Sequence, residues 1–122
     1  MPIITVTSDP PYDRILVNTD MIYAVVPDAA APSRTRLLVD AAGGRGVSAN
    51  EDLGTILKLA GANVFASFQQ AALKPGKILV NRSGWVSIAP HPQVKNVSQI
   101  NFKNQYVAVK GTVEEVAAAL AG

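Results

Sequence analysis

Four consecutive residues of this chain occur twice, and this duplication constrains the fold more than any other feature. Ile15-Leu16-Val17-Asn18 returns 63 residues later as Ile78-Leu79-Val80-Asn81. The same offset relates residues of other types: Pro27 to Pro90, Thr35 to Ser98, Leu37 to Ile100, Val39 to Phe102, and Glu51-Asp52-Leu53 to Glu114-Glu115-Val116. Internal similarity at a fixed period indicates repeated structural units. The sequence therefore predicts two tandem units, residues 3–61 and 64–122, within a single domain of residues 1–122.

The composition is that of a globular chain rather than a disordered one. Of its 122 residues, 48% are hydrophobic and 16% are charged, and this balance supports a buried core. It has no cysteine, which excludes a disulfide framework, a thiolate metal site and a cysteine nucleophile. No apolar run reaches the roughly 18 residues that span a bilayer. We expect a soluble protein without a membrane segment, located in the cytoplasm of a bacterium or of a virus-infected host cell.

Charge is distributed unequally between the two units. Residues 1–61 carry five basic and seven acidic residues, a net charge of −2, whereas residues 62–122 carry six basic and two acidic residues, a net charge of +4. Both acids of the second unit, Glu114 and Glu115, stand where a helix is predicted to begin. The sequence therefore predicts an acidic first unit and a basic second unit.

Each unit combines several short strands with one helix. Strands are predicted at residues 3–7, 14–18, 21–26 and 35–40 in the first unit, and at 64–68, 77–81, 85–89, 97–103 and 105–110 in the second. The predicted fold class is α+β: two tandem ββββ(β)α repeats in a pseudo-two-fold single domain, with antiparallel sheets each packed by one C-terminal helix.

The two helices are predicted from capping boxes and helical periodicity. Ser48 with Glu51 and Thr112 with Glu115 have the spacing at which a hydroxyl and a carboxylate cap a helix start reciprocally. Apolar residues follow at helical spacing: Leu53, Ile56, Leu57 and Ala60 in the first helix, and Val113, Val116, Ala117 and Leu120 in the second. Gly61 is predicted to end the first helix with a positive φ.

This order of elements resembles the PUR family of single-stranded nucleic-acid-binding proteins, whose domain consists of two intertwined β-β-β-β-α repeats. The resemblance spans the whole chain and concerns topology and repeat length. Segments Ile78–Asn81 and Thr112–Val116 also look like parts of the small flagellar FlbD-type proteins. The PUR resemblance implies a partner that is single-stranded DNA or RNA.

Strand alternation predicts two unlike faces for the sheet of the second unit. The face under the helix is expected to hold Val86, Ile88, Ile100, Phe102, Val107 and Val109. The opposite face is expected to hold Trp85, Ser87, Gln99, Asn101, Lys103, Tyr106 and Lys110, with Arg82, Lys77 and Lys95 on a positive rim. Rings that stack bases and lysines that contact phosphates are typical of single-strand binding. The matching face of the first unit, Ile22, Ala24, Arg36, Leu38 and Asp40, is poorer in charge and could serve pairing between chains. Its one cation, Arg36, is included among the predicted nucleic-acid-binding residues.

The sequence offers no catalytic, metal or cofactor signature. The acids at 51, 52, 114 and 115 suit helix starts, and His91 stands between two prolines without companion ligands. Gly43-Gly44-Arg45-Gly46 lacks the spacing of a phosphate-binding loop and predicts a hairpin turn. We therefore expect a non-enzyme with no cofactor.

Two functions remain open at the level of sequence. The first is a homo-oligomeric protein that binds single-stranded nucleic acid through the second unit. The alternative is a structural or assembly protein, such as a decorating or scaffolding subunit of a phage virion, with residues 28–32 as a docking loop and the aromatic face buried against a capsid partner or another chain.

Overall fold

The computed structural model describes residues 3–8, 14–28, 33–39, 46–71 and 76–122, and these form a strand-rich α+β arrangement. The strands are β1 (Ile3–Thr7), β2 (Arg14–Asn18), β3 (Ile22–Pro27), β4 (Thr35–Val39), β5 (Val47–Ala49), β6 (Phe65–Gln69), β7 (Lys77–Asn81), β8 (Ser87–Pro90), β9 (Val97–Asn101) and β10 (Tyr106–Lys110). The helices are α1 (Leu53–Ala60) and α2 (Val113–Ala121), and Thr19–Met21 forms one 3₁₀ turn. None of the helices described is long and apolar enough to cross a membrane.

The strands form antiparallel sheets, and the largest sheet combines strands from both halves of the chain. Its order is β5-β4-β3-β7-β6, while β1 pairs with β2 and the third sheet has the order β10-β9-β8. Strand β3 meets β7 at Ala24 opposite Val80 and at Val25 opposite Leu79. This differs from the prediction that each unit forms a sheet of its own. The reason is burial: the runs Tyr23–Val25 and Ile78–Val80 are buried throughout, as in strands covered on both faces.

The central five-stranded sheet separates two apolar cores. Val25, Leu79 and Phe65 face the core formed with β1, β2 and Ile56 of α1. The other core lies beneath α2 and the β8–β10 sheet, and its members from the central sheet include Ala24, Phe68, Ile78 and Val80. The predicted helical stripes are confirmed, since Ile56, Val116 and Leu120 are buried and the rest of each stripe is partly buried.

Helix α1 begins at a different residue from the one predicted. Asp52 is the N-cap, and its carboxylate accepts a hydrogen bond of 2.8 Å from the Thr55 N–H. Ser48 lies in β5, opposite Arg36 of β4, and Glu51 accepts hydrogen bonds from the N–H and Oγ1 of Thr7. Sheet pairing thus overrides the local capping pattern, because β5 continues to Ala49, where a helix capped by Ser48 would have to begin. The predicted end at Gly61 is confirmed, with φ of 93°.

Helix α2 begins as predicted. The Glu115 N–H donates to Thr112 Oγ1 at 3.2 Å, and the Thr112 N–H donates to Glu115 Oε1 at 2.9 Å. Both partners of this capping box are local, so no contact distant in sequence is needed to form it.

Asn81 is the buried polar residue that fastens the end of β7 to the first half of the chain. Its Nδ2 donates to the carbonyls of Thr19 at 3.1 Å and Ile22 at 2.8 Å. Its Oδ1 accepts from the N–H and Oγ of Ser83 at 2.9 and 3.2 Å. The earlier asparagine of the duplicated segment, Asn18, is only partly buried, and its Oδ1 accepts from the Asp20 N–H.

Replacement of the two asparagines should therefore have unequal effects. Asn81→Ala removes the hydrogen bonds to the buried carbonyls of Thr19 and Ile22 and should lower the free energy of unfolding by about 2 kcal/mol or more. Asn18→Ala, the matched control, should lower it by less than about 1 kcal/mol, because water can replace its hydrogen bond. Urea unfolding followed by circular dichroism measures both values, and equal losses would contradict the role assigned to Asn81.

The caps also predict how stability depends on pH. The backbone N–H of Thr55 lowers the pKa of Asp52 from its ordinary 3.8, and the backbone N–H of Thr112 lowers the pKa of Glu115 from 4.5. The folded pKa of each carboxyl is below its unfolded value, so its contribution to stability is complete above that value. The contribution is lost as pH falls through the folded pKa. Urea midpoints between pH 5 and pH 2 should fall less steeply for Asp52→Asn, which keeps a capping oxygen without the charge, than for the parent chain.

Candidate nucleic-acid interface

The β8–β10 sheet presents one polar face, as strand alternation predicts. Ser87 lies opposite Asn101, which lies opposite Tyr106, and one step along the sheet Ala89, Gln99 and Ala108 stand in a second row. Lys110 lies two residues beyond Ala108 on the same strand and is exposed. The structure therefore brings together Ser87, Gln99, Asn101, Tyr106 and Lys110. We call these five residues the polar face.

Tyr106 is the most exposed aromatic residue in the described part of the chain, with 59% of its surface accessible. Beside it, the Nδ2 of Asn101 donates to Ser87 Oγ at 3.1 Å, which orients the amide across the sheet. On the opposite side of the sheet, Ile100 and Val109 are fully buried, and α2 packs against β8 and β9. The fold therefore buries one side of this sheet and exposes the ring of Tyr106 on the other.

Trp85 and Val86 do not lie where the sequence predicts them. Both precede β8, and Val86 is 67% exposed rather than covered by a helix. The Val86 N–H donates to the Asn101 carbonyl although Asn101 already faces Ser87, so the strand carries an extra residue here and its side chains change direction. Trp85 is 38% exposed, and its indole N–H donates to the Arg82 carbonyl at 3.2 Å.

The basic residues of the predicted site are dispersed. Lys103 is exposed in the β9–β10 turn, which the Phe102 N–H closes by donating to the Gln105 carbonyl, and Lys95 is exposed in the β8–β9 loop. Lys77 and Arg36 belong to the central sheet, in β7 and β4. The structure therefore places Lys110 on the same strand as Tyr106 and Lys103 in the adjoining turn, whereas Lys77 and Arg36 lie in another sheet.

Arg82 has a structural position rather than one on a positive rim. Its guanidinium donates to the carbonyl of Ala119, in the last turn of α2, and to the carbonyl of Ala62 at 3.3 Å. A cation at a helix C-terminus satisfies carbonyls that lack helical partners and interacts favourably with the helix dipole. The sequence could not show this, because the contact joins residues that are 37 positions apart.

An open groove lies beside Tyr106. It has a volume of about 380 Å³, and its apolar lining includes Val26, Leu38, Val94 and Ala108. At this groove β10 is joined to the end of β6, since Gln70 bridges to Val109 and the Ala71 N–H donates to the Ala108 carbonyl. Sequence reasoning missed this groove, because its walls come from strands far apart in the chain.

Metal-binding clusters are lacking among the residues that the structure describes: no three histidine, cysteine, aspartate or glutamate side chains lie together. The Nδ1 of His91 accepts hydrogen bonds from the N–H groups of Gln93 at 3.1 Å and Val94 at 3.2 Å. His91 thus stabilises the loop after β8. Asp40 and most of the glycine-rich loop, residues 41–45, lie outside the described residues.

Comparison with known proteins gives a likeness of fold. No family model and no curated protein matches this sequence. Among solved structures, the fold is similar to that of a LytTr DNA-binding domain from Bacillus cereus, with a TM-score of 0.65 and 12% sequence identity over 100% of this chain and 98% of that chain. At this identity the likeness concerns the arrangement of strands and helices alone.

Arg82→Gln should separate a structural role from binding. The shorter neutral side chain loses the charged hydrogen bonds to Ala62 and Ala119, so the free energy of unfolding should fall by roughly 1–2 kcal/mol. Oligonucleotide affinity, measured where the variant is fully folded, should stay within twofold of the parent value. An unchanged stability together with weaker binding would return Arg82 to the interface.

Proposed function

We propose that this protein binds nucleic acid through the polar face of the β8–β10 sheet. The observation that carries the proposal is the exposed ring of Tyr106 beside two amides, with Lys110 on the same face. A solvent-exposed ring can stack on a base, the neighbouring amides can form hydrogen bonds with the base or sugar, and a cation can contact the phosphate. The solved structure of similar fold is itself described as a DNA-binding domain, which supports the same class of ligand.

Single-stranded nucleic acid is the form that this surface suits best. Stacking requires an accessible base face, which an unpaired base offers and a base pair inside a duplex does not. The apolar groove beside Tyr106 gives an unstacked base a second apolar contact. The predicted order of elements resembles that of the PUR family, whose members bind single-stranded nucleic acid, and this resemblance favours the same form of ligand.

The charge of the second half supports an electrostatic contribution. Residues 62–122 have a net charge of +4, and Lys95, Lys103 and Lys110 are exposed on or beside the β8–β10 sheet. Each phosphate that a lysine neutralises releases counterions, so the affinity should fall as salt rises. The alternative as a virion subunit relied on residues 28–32 as a docking loop, and residues 29–32 lie outside those that the structure describes.

Two substitutions on the polar face should weaken binding in different ways. Tyr106→Ala removes a stacking surface and should lower the affinity for a single-stranded oligonucleotide by about fivefold or more. Lys110→Gln should reduce the slope of log affinity against log salt by about 0.7, the value for one phosphate contact on a single strand. Fluorescence anisotropy with a labelled oligonucleotide, titrated at several salt concentrations, measures both quantities.

Each substitution has a matched control. Tyr106→Phe retains the ring and should keep most of the affinity, and Lys58→Gln removes an exposed charge from α1, far along the chain from the polar face. A duplex of the same sequence, titrated in parallel, tests the preference for single strands. Equal binding by Tyr106→Ala and the parent would move the interface elsewhere, and tighter binding of the duplex would refute single-strand recognition.

A further inference from the structure

Several strands stand at the edge of a sheet among the residues that the structure describes, and exposed apolar side chains accompany two of these edges, those of β2 and β8. Strand β2 pairs with β1 alone, and β8 is the outer strand of the β8–β10 sheet. Ile3 and Leu16 on the β1–β2 ribbon are 51% and 64% exposed. Trp85 and Val86, which lead into β8, are 38% and 67% exposed. An exposed strand edge with apolar neighbours is a surface ready to accept another strand.

The pairing of strands in the two halves follows constant offsets. Across β3–β4 and β8–β9 the offset is 63: Val25 opposite Leu37 corresponds to Ile88 opposite Ile100, and Pro27 opposite Thr35 corresponds to Pro90 opposite Ser98. The β1–β2 pair of Ile3 with Asn18 corresponds to the β6–β7 pair of Phe65 with Asn81, with an offset of 63 between β2 and β7 and of 62 between β1 and β6. Each contact of one half can therefore be assigned a counterpart in the other.

The halves are joined inside the molecule by an asymmetric contact. The edge of β3 receives β7, with Val25 opposite Leu79. The counterparts of these residues are Ile88, on the open edge of β8, and Leu16, on the open edge of β2. We propose that a second copy of this chain adds its β2 to β8 of the first, with Leu16 of the added copy opposite Ile88, and so repeats the internal join between molecules.

Burial at the internal join supports this partner. Leu79 in the join and Phe65 on the adjacent strand β6 are 3% and 2% exposed, yet their counterparts Leu16 and Ile3 are apolar and open to water. On the receiving side, Ile22 and Tyr23 are 1% and 7% exposed, and their counterparts are Trp85 and Val86. A join between two copies would therefore bury the exposed apolar side chains beside β2 of one copy and beside β8 of the other.

Backbone geometry favours the same register. The His91 N–H donates to the Val97 carbonyl, so in an antiparallel ladder Ala89 and Ser87 also direct their backbone groups to β9. Ile88 then directs its N–H and carbonyl to the open edge. Pro90 lacks an N–H and so prevents pairing at its own position on the β8 edge. Its counterpart Pro27 is compatible with the internal join, because that join pairs only Ala24 and Val25 of β3.

Charge and helix packing also favour a second copy of the same chain as the partner. Helix α1 packs on β3 and on β7, across the internal join, and α2 packs on β8 in the same way. The arriving half carries a net charge of −2 and the receiving half +4, so the two surfaces attract each other. Because the contact joins unlike surfaces, each added copy exposes a new β8 edge and growth continues head to tail.

The oligomeric state of three chains tests the proposal, in nucleic-acid-free protein. The parent chain should show a weight-average mass that rises with concentration beyond that of a dimer in sedimentation velocity. Leu16→Lys blocks the β2 end and Val86→Lys blocks the β8 end, and each should remain a monomer. Both positions are more than half exposed, so the fold should be kept. Leu59→Lys, an exposed apolar position on α1 outside both ends, is the control and should assemble as the parent does.

Mixing the two blocked variants distinguishes a head-to-tail join from a symmetric one. Leu16→Lys keeps an intact β8 edge and Val86→Lys keeps an intact β2 edge, so the mixture should form a dimer and stop there. Fluorescence of Trp85, the single tryptophan of the chain, should shift to shorter wavelength as the parent assembles. A parent chain that stays monomeric at all concentrations, or self-association by either blocked variant alone, would overturn the proposal. Tyr106→Ala should assemble normally, so a failure of nucleic-acid binding leaves this result unaffected.

Discussion

The backbone pairing of β3 with β7 is the contact on which the other layers depend. It places Val25 beside Leu79 and so makes one sheet from strands that are more than fifty residues apart. That sheet has two apolar faces, and each face receives one helix and one smaller sheet. Asn81 donates hydrogen bonds to the carbonyls of Thr19 and Ile22 at the end of the join and so fastens β7 to the turn that precedes β3.

The duplicated tetrapeptide shows which properties sequence can predict. Both copies form a strand, and both asparagines accept a hydrogen bond from the N–H two residues later, since these are local properties. The two leucines differ most in burial, because β7 pairs with β3 as well as β6, whereas β2 pairs with β1 alone among the described residues. The period of a strand predicts its faces but not which strand lies beside it. The pairing of β3 with β7 therefore could not be predicted.

The same division between local and distant contacts applies to the candidate site. Alternation along β9 and β10 correctly predicted that Gln99, Asn101, Tyr106 and Lys110 share a face, because regular strands fix side-chain direction. It failed for Val86, where an extra residue opposite Asn101 interrupts the alternation. The sequence also misplaced Arg82, whose guanidinium donates a hydrogen bond to the Ala119 carbonyl of α2. Helix α1 gives a third case, since pairing of β5 with β4 moved the cap from Ser48 to Asp52.

The two proposals use different directions of one sheet and are therefore compatible. Tyr106 and Lys110 project from the face of the β8–β10 sheet, whereas the join between copies uses the backbone edge of β8, roughly perpendicular to that face. The head-to-tail growth that we propose would present one polar face per chain along a continuous array. A strand of nucleic acid bound to one face then meets the next at high effective concentration, so weak contacts at single faces add to strong binding along the array. The proposed assembly would thereby explain how a face with one exposed tyrosine and few lysines could suffice for the proposed binding of nucleic acid.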